Sequence, residues 1–173
     1  MKKITIIGVS GSGKSYFTKK LAEKIGLPVF HMDQLFWKAN WVMENKEVFN
    51  AKVIEVTQGE RWITDGNFTS HKQILHERLQ RADTIFFFDF NPYVCAWRVL
   101  LRRFEHWGKR RPDMAEGCIE GFDPEFVKFL RWILNFRRHT KPKVLAAIKE
   151  TGSVSKVVTF KNRGAVNRYL KSL

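Results

Sequence analysis

Cysteine is scarce in this sequence, and long apolar runs are lacking. The two cysteines, Cys95 and Cys118, are too far apart for a CxxC pair and too few for a zinc site. Such sparing use of cysteine fits a reduced cytosol. No segment approaches the roughly 18 uncharged apolar residues of a membrane-spanning helix. The first apolar run breaks at Gly8 with no cleavage-type sequence after it. We therefore expect a soluble cytoplasmic protein without a membrane partner.

Acidic residues are also in short supply. The chain has 17 Asp and Glu against 31 Lys and Arg, which gives a formal net charge of +14. Such a charge attracts anions, so phosphates, nucleic acid and acidic membrane surfaces are the candidate partners. The excess is uneven, because residues 98–149 hold thirteen Lys and Arg against six Asp and Glu, a net +7 in less than a third of the chain.

Apolar residues are plentiful enough for one compact domain. Of the 173 residues, 44% are hydrophobic, including 15 Phe and 6 Trp, which excludes intrinsic disorder. No linker, repeat or low-complexity tract divides the chain, so we expect a single domain over residues 1–173. Apolar runs predict strands at about 4–7, 28–31, 61–65, 83–89 and 154–160. Helical periodicity predicts helices at about 14–25, 45–59, 70–79, 92–107, 124–140 and 165–170.

Alternating strands and helices indicate an α/β fold. Apolar strands in such an alternation form a parallel sheet that is covered on both faces. Asn45, Asn91-Pro92 and Asp123-Pro124 predict the starts of three helices, since Asn and Asp cap well and Pro is favoured at the first helical position. Pro142 is expected to kink or restart the long second helix of the basic region.

The segment Gly8–Ser15 matches G-x-x-x-x-G-K-[ST] at every fixed position and lies between a predicted strand and a predicted helix. Glycines allow the backbone N–H groups to turn toward phosphate oxygens at the helix N-terminus. Lys14 would reach the β- and γ-phosphates of ATP, and the Ser15 hydroxyl would ligate Mg²⁺. The predicted nucleotide-binding residues are Gly8, Ser10, Gly11, Ser12, Gly13, Lys14, Ser15 and Tyr16. The order G-x-x-G-x-G also disfavours a dinucleotide-binding Rossmann fold.

Acidic residues at strand ends are candidates for the metal and the acceptor. Asp65 and Asp89 each end a predicted strand, and we favour Asp65 as the second Mg²⁺ ligand with Asp89 as the alternative. Either could instead cap its loop. Asp33, just past the second strand, could orient an acceptor hydroxyl or act as a general base, or it could be a turn residue. His31 is expected to serve packing or to support a neighbouring group.

The basic region contains a predicted lid at about residues 106–121, a stretch rich in charge, Gly and Pro. Arg102 lies on the preceding helix, on the face that carries Arg98, and points toward Arg110 and Arg111 of the lid. Arg102, Arg110 and Arg111 would form a clamp over the transferring phosphoryl group. A solvated basic face is the alternative for any one of them.

Several segments support a resemblance to known families. The phosphate loop, the strand end Trp62–Gly66 and the arginine-bearing lid resemble the adenylate kinase and shikimate kinase branch of small P-loop phosphotransferases. The segments His31–Trp37, Asp65–Asn67, Arg81–Ile85 and Arg111–Cys118 resemble the bacterial DNA topology modulation proteins. The resemblance implies a three-layer P-loop NTPase fold with a five-stranded parallel sheet and a short basic lid, and ATP as phosphate donor. It also implies Mg²⁺ support by Asp65 and phosphate contacts by Arg110 and Arg111.

Two functions remain open at this stage. The first is an ATP- and Mg²⁺-dependent kinase of a small molecule or nucleotide, of adenylate kinase-like type, with an unidentified phosphoryl acceptor. A nucleoside monophosphate acceptor is disfavoured, because Asn67-Phe68 stands where such kinases have Phe-Pro-Arg. The second is a nucleotide-binding regulator associated with DNA or RNA, or a kinase of nucleic-acid ends, which the surplus positive charge favours. A monomer is expected in either case.

Overall fold

The computed structural model describes residues 1–173. The strands are β1 (Lys3–Gly8), β2 (Val29–His31), β3 (Trp37–Lys38), β4 (Val42–Met43), β5 (Trp62–Asp65), β6 (Thr84–Phe88) and β7 (Val157–Phe160). The helices are α1 (Lys14–Ile25), α2 (Met32–Phe36), α3 (Lys46–Gln58), α4 (Lys72–Arg81), α5 (Pro92–Glu105), α6 (Pro124–Leu134), α7 (Lys141–Glu150) and α8 (Arg163–Ser172). The predicted α/β alternation is confirmed.

The main sheet has five parallel strands in the order β2-β5-β1-β6-β7. The central strand β1 is buried from Ile4 to Gly8, as its unbroken apolar run predicts for a strand covered on both faces. Helices α1 and α8 pack together, and α4 packs with α3 and α7, so that helices form the two outer layers. The predicted five-stranded fold is confirmed. Because all strands are parallel, their carboxyl ends meet at one edge, where ligands bind in such folds.

Aromatic residues fill much of the core. Phe17 of α1 lies with its ring centroid 4.9 Å from Phe86 and 5.5 Å from Phe160, in edge-to-face geometry. Phe86 and Phe160 stack at 5.7 Å across the β6–β7 pair. Each such pair contributes about 0.5–1.5 kcal/mol beyond the area it buries. This cluster holds α1, and with it the end of the phosphate loop, against the sheet.

The predicted helix starts are confirmed at three places. The side chain of Asn45 accepts hydrogen bonds from Glu47 N and Val48 N, and that of Asn91 accepts one from Tyr93 N. Asp123 accepts one from Phe126 N. Each cap satisfies backbone N–H groups that have no partner within the helix, and is worth about 1 kcal/mol.

The structure differs from the sequence-based expectation in three segments. The helix expected over 124–140 ends at Leu134, continues as one π-turn over Phe136–Thr140, and restarts as α7. The predicted restart of this helix at Pro142 is confirmed, because α7 begins at Lys141 and places the proline in its first turn, where a missing N–H costs no helical hydrogen bond. The segment between β2 and α3, for which the sequence predicted no helix or strand, contains α2 and the β3–β4 hairpin. The last strand starts at Val157, since residues 154–156 form a 3₁₀ turn.

Candidate functional site

The phosphate loop joins β1 to α1 at the carboxyl edge of the sheet. Gly8, Gly11 and Gly13 all have positive φ, at 136°, 82° and 90°. A Cβ at Gly8 would lie 2.4 Å from the carbonyl oxygen of Phe88, and one at Gly11 would lie 2.4 Å from that of Cys95. Glycine is therefore required at both positions on conformational and steric grounds. The loop ends at α1, whose first N–H groups and dipole favour an anion.

Lys14 is held by the loop itself. Its Nζ donates to the carbonyl oxygens of Gly8 and Val9, both at 2.9 Å. Burial lowers the pKa of Lys14 to about 8, although the charges of Asp65 and Asp33 act in the opposite direction. A cation held at this desolvation cost interacts strongly with an incoming phosphate, because little water screens it.

Asp65 ends β5 and lies between α1 and β2. Its Oδ2 is 2.9 Å from His31 Nδ1 and accepts a hydrogen bond from Thr18 Oγ1 at 3.4 Å. Burial lowers the pKa of His31, but the hydrogen bond and charge of Asp65 outweigh burial, and the pKa of His31 is raised. His31 therefore supports Asp65, in agreement with the supporting role expected for it.

Asp33 and Asp89 lie in different surroundings. Burial, and then the charge of Asp65, raise the pKa of Asp33 to about 6, while Arg111 and Lys14 act in the opposite direction. The structure thus places Asp33 within electrostatic range of Lys14, Asp65 and Arg111. Asp89 instead accepts a hydrogen bond from Lys141 Nζ at 2.6 Å. The negative charge of Asp89 is therefore compensated by a lysine of α7.

The predicted lid, between α5 and α6, is fastened by a buried ion pair network. Glu120 is 4% exposed and pairs with Arg103 and, at 2.6 Å, with Arg111 Nε. Arg103 also lies over the ring of Phe126, 4.4 Å from its centroid. Removing one partner from a buried pair is costly, because the other charge is left without compensation. This network fixes the direction of the Arg111 guanidinium.

The lid contacts the phosphate loop directly. The Ser15 hydroxyl donates to Asp113 Oδ2 at 2.8 Å, and Asp113 lies 3.6 Å from the Arg111 guanidinium. Burial raises the pKa of Asp113, but Arg111 and the Ser15 hydrogen bond outweigh it, and the pKa is lowered. Asp113 is therefore ionised at neutral pH and links the lid to the residue predicted to bind Mg²⁺.

The lid also packs on the segment after β2. Gln34 Nε2 donates to Pro112 O at 3.0 Å, and Trp41 Nε1 donates to Ile119 O at 2.8 Å. The backbone N–H of Asn40 donates to Gly117 O at 3.1 Å. These contacts hold the lid against the segment that carries Asp33.

The other predicted site residues differ in their burial and in their contacts. Arg102 is partly buried, and burial together with the charge of Arg111 lowers its pKa to about 10, so Arg102 lies within electrostatic range of Arg111. Arg110 is exposed, pairs through its backbone with Ile119, and forms none of the ion pairs of the chain. Tyr16 is 52% exposed. Ser12 closes the loop by donating from its hydroxyl to Val9 O at 2.7 Å, while Ser10 is partly buried within it.

Three residues of the site were missed by the sequence interpretation. Asp113 was counted only as a charge in the lid. Asn67 bonds to Gly8 through its side chain. Arg78 is fully buried beneath β5 and donates to Gly66 O at 2.8 Å. A signal for Arg78 exists in the sequence, because it shares the apolar face of α4 with Ile74 and Leu75.

The donor set suits a magnesium ion better than a transition metal. Ser15 and Asp65 offer hydroxyl and carboxylate oxygens, and the structure has no cluster of three His, Cys, Asp or Glu side chains that could hold a metal. Mg²⁺ is typically bound through one or two protein oxygens with substrate phosphates and water completing the shell. The residues present therefore fit a Mg²⁺ ion that arrives with a nucleotide.

None of the helices combines the length and apolarity needed to cross a membrane.

Comparison with known proteins places the fold. No protein-family model and no curated protein matches the chain. Shikimate kinase from Acinetobacter baumannii in complex with shikimate matches with a TM-score of 0.60 and 15% identity, covering 99% of this chain and 90% of that one. The chain has the fold of small P-loop kinases.

Two further solved structures agree with this P-loop kinase fold. Shikimate kinase from Bacteroides thetaiotaomicron has a TM-score of 0.57 and 15% identity, covering 98% of this chain and 94% of that one. A gluconokinase from Sinorhizobium meliloti 1021 has a TM-score of 0.55 and 18% identity, covering 98% and 87%. These likenesses support the P-loop kinase fold that the resemblance implies, and none of the three proteins is a DNA topology modulation protein.

Proposed function

We propose that this protein is a kinase that transfers the γ-phosphoryl group of ATP to a hydroxyl group of a small molecule. The observation that carries the proposal is the convergence of opposite charges at the carboxyl edge of the sheet. There Lys14, Arg102 and Arg111 lie within electrostatic range of Asp33, and Arg102 and Arg111 also lie within range of Asp113. Cations would hold the phosphates, and a carboxylate would face the acceptor. The kinase fold of the matching structures supports the same proposal.

The donor is assigned to the phosphate loop. The backbone N–H groups of Gly8–Ser15 and the ammonium group of Lys14 would bind the β- and γ-phosphates. Ser15 and Asp65 would hold Mg²⁺, which when bound neutralises phosphate charge and orients the γ-phosphoryl group. The Ser15 hydroxyl donates a hydrogen bond to Asp113. The lone pairs of the hydroxyl oxygen are therefore free to bind a metal.

The acceptor is assigned to the space beside Asp33. An acceptor oxygen would attack the γ-phosphorus, forming one P–O bond while the bond to the β–γ bridging oxygen breaks. ADP leaves, and the acceptor proton passes to a carboxylate oxygen of Asp33. Arg102 and Arg111 would stabilise the charge that spreads over the transferring group. We leave Arg110 out of this clamp, because it is exposed and takes no part in the ion pairs that hold Arg111.

The proposal is tested by calorimetry with Mg·ATP and by ADP release in an acceptor screen. The screen should contain hydroxylated metabolites, nucleosides, nucleotides and the 5′-hydroxyl ends of DNA and RNA. We expect saturable binding of Mg·ATP and ADP release that depends on one acceptor class, with phosphate recovered on that acceptor. Failure to bind Mg·ATP would overturn the proposal. Turnover only with nucleic-acid ends would replace the small-molecule acceptor and favour the nucleic-acid alternative.

The metal ligand is tested by a matched pair of substitutions. Asp65→Asn should raise the Mg²⁺ concentration needed for half-maximal ADP release by about tenfold or more, because a charged oxygen ligand is lost. Asp89→Asn should leave that concentration unchanged, since Asp89 is occupied by Lys141. The measurement is a Mg²⁺ titration at saturating ATP. The opposite ranking of the two variants would assign the metal to Asp89.

A further inference from the structure

The β1–β5 ladder stops at Ile6, two positions before Gly8, the first residue of the phosphate loop. The two strands are in register up to Ile6 and Asp65, and the last backbone bond on this side runs from Gly66 N to Ile6 O at 3.1 Å. Gly66 then turns the chain away with a φ of 107°. Gly8, the first residue of the loop, would therefore have no hydrogen-bonding partner on the β5 side.

Asn67 supplies that partner with its side chain. Its Oδ1 accepts from Gly8 N at 2.8 Å and its Nδ2 donates to Gly8 O at 2.9 Å. Asn67 is 8% exposed, so little water competes for these bonds. A primary amide carries the donor and the acceptor of a peptide group. The side chain thus extends the parallel ladder by one position, where the main chain of β5 no longer can.

The same peptide of Gly8 holds the lysine. Gly8 O accepts from both Asn67 Nδ2 and Lys14 Nζ. On the opposite side Val9 N donates to Phe88 O at 3.2 Å. With bonds on both sides and a positive φ, the peptide between Gly8 and Val9 has a fixed orientation. That orientation determines where the ammonium group of Lys14 lies and how the loop N–H groups face a phosphate.

The backbone that carries Asn67 is held in turn by Arg78. The Arg78 guanidinium donates to Gly66 O at 2.8 Å and to Thr64 Oγ1 at 3.2 Å, which fixes the peptide that carries Asn67. Burying a guanidinium completely costs free energy of desolvation, and burial lowers the pKa of Arg78 to about 10. This arrangement braces the turn after β5 against the phosphate loop.

We propose that Asn67 is a positioning residue of the nucleotide site, which fixes the Gly8 peptide and through it the ammonium group of Lys14. The inference rests on the proposed function, since it takes the loop to bind a nucleotide triphosphate. Asn67 acts on the donor side, so the acceptor site is not expected to respond to its replacement.

The test compares Asn67→Asp and Asn67→Ala with the wild-type protein. Asn67→Asp keeps the size and the acceptor for Gly8 N, but sets a carboxylate oxygen against Gly8 O. Asn67→Ala removes both hydrogen bonds to Gly8 without adding a charge. This variant provides the test if Asn67→Asp does not fold. Loss of a buried hydrogen bond predicts about 5- to 100-fold weaker Mg·ATP binding by calorimetry. The KM for ATP should rise by a similar factor, while the KM for the acceptor stays the same.

Ser153→Ala is the matched control. The Ser153 hydroxyl is buried and donates to Leu79 O at 3.0 Å, near the end of the sheet where the strands begin. This control should lower the melting temperature without weakening Mg·ATP binding. Wild-type affinity in both Asn67 variants would overturn the inference while leaving the proposed function standing. A wild-type protein that does not bind Mg·ATP would overturn the proposed function itself.

Discussion

Replacement of Lys14 by alanine is expected to reduce ADP release by about 10²- to 10³-fold, the cost of removing one preorganised group that stabilises transition-state charge. The effect should be large because the ammonium group is buried and its bonds to Gly8 and Val9 already fix its position. A preorganised cation needs no rearrangement when the phosphates arrive. The measurement is kcat and KM under saturating Mg²⁺, with Mg·ATP affinity from calorimetry.

Lys20→Ala is the control for this prediction. Lys20 lies on the same helix, is 45% exposed in its side chain and pairs with Glu23, so it tests for general loss of positive charge on α1. It should retain wild-type turnover. Lys14→Ala should keep or raise the melting temperature, because it removes a charge whose burial lowers its pKa to about 8. Wild-type turnover in Lys14→Ala, with the fold intact, would remove the phosphate loop from the reaction.

The phosphate loop could be predicted from the sequence because its determinants are contiguous. Its glycines and Lys14 act within eight residues, and the flanking strand is indicated by an apolar run and the flanking helix by its periodicity. The caps at Asn45 and Asn91 are local in the same sense. The strand pairing order, by contrast, depends on which apolar faces pack against which, and the sequence carries no direct record of it.

The contacts that complete the site could not be predicted, because they join distant segments. Ser15 and Asp113 are 98 positions apart, and Gly8 and Asn67 are 59 apart. Two adjacent arginines of the lid also have different surroundings, since Arg111 is buried against Glu120 while Arg110 is exposed. Sequence spacing identifies a basic lid, but the direction of the Arg111 guanidinium is set by the buried carboxylate of Glu120.

The second large effect is expected at Asp33. Asp33→Asn should lower kcat by about 10²- to 10⁴-fold, the usual contribution of a positioned general base. Asparagine keeps the size of the side chain and its ability to orient a hydroxyl, but it cannot accept the proton. The measurement is kcat at saturating ATP and acceptor. Asp83→Asn is the control, because Asp83 binds the backbone N–H groups of Lys2 and Lys3 away from the site.

The pH profile provides an independent test of the same role. Burial and the charge of Asp65 raise the pKa of Asp33 to about 6, so the ionised, proton-accepting form is lost as the pH falls through 6. Wild-type kcat/KM should therefore decline below about pH 6, and the Asp33→Asn variant should lack this limb in its residual activity. Above that pH the buried carboxylate costs folding free energy, because its folded-state pKa is raised. Asp33→Asn should then have a melting temperature at pH 7.5 at least equal to that of the wild type. A variant that retains both wild-type turnover and the acidic limb would show that another group accepts the proton.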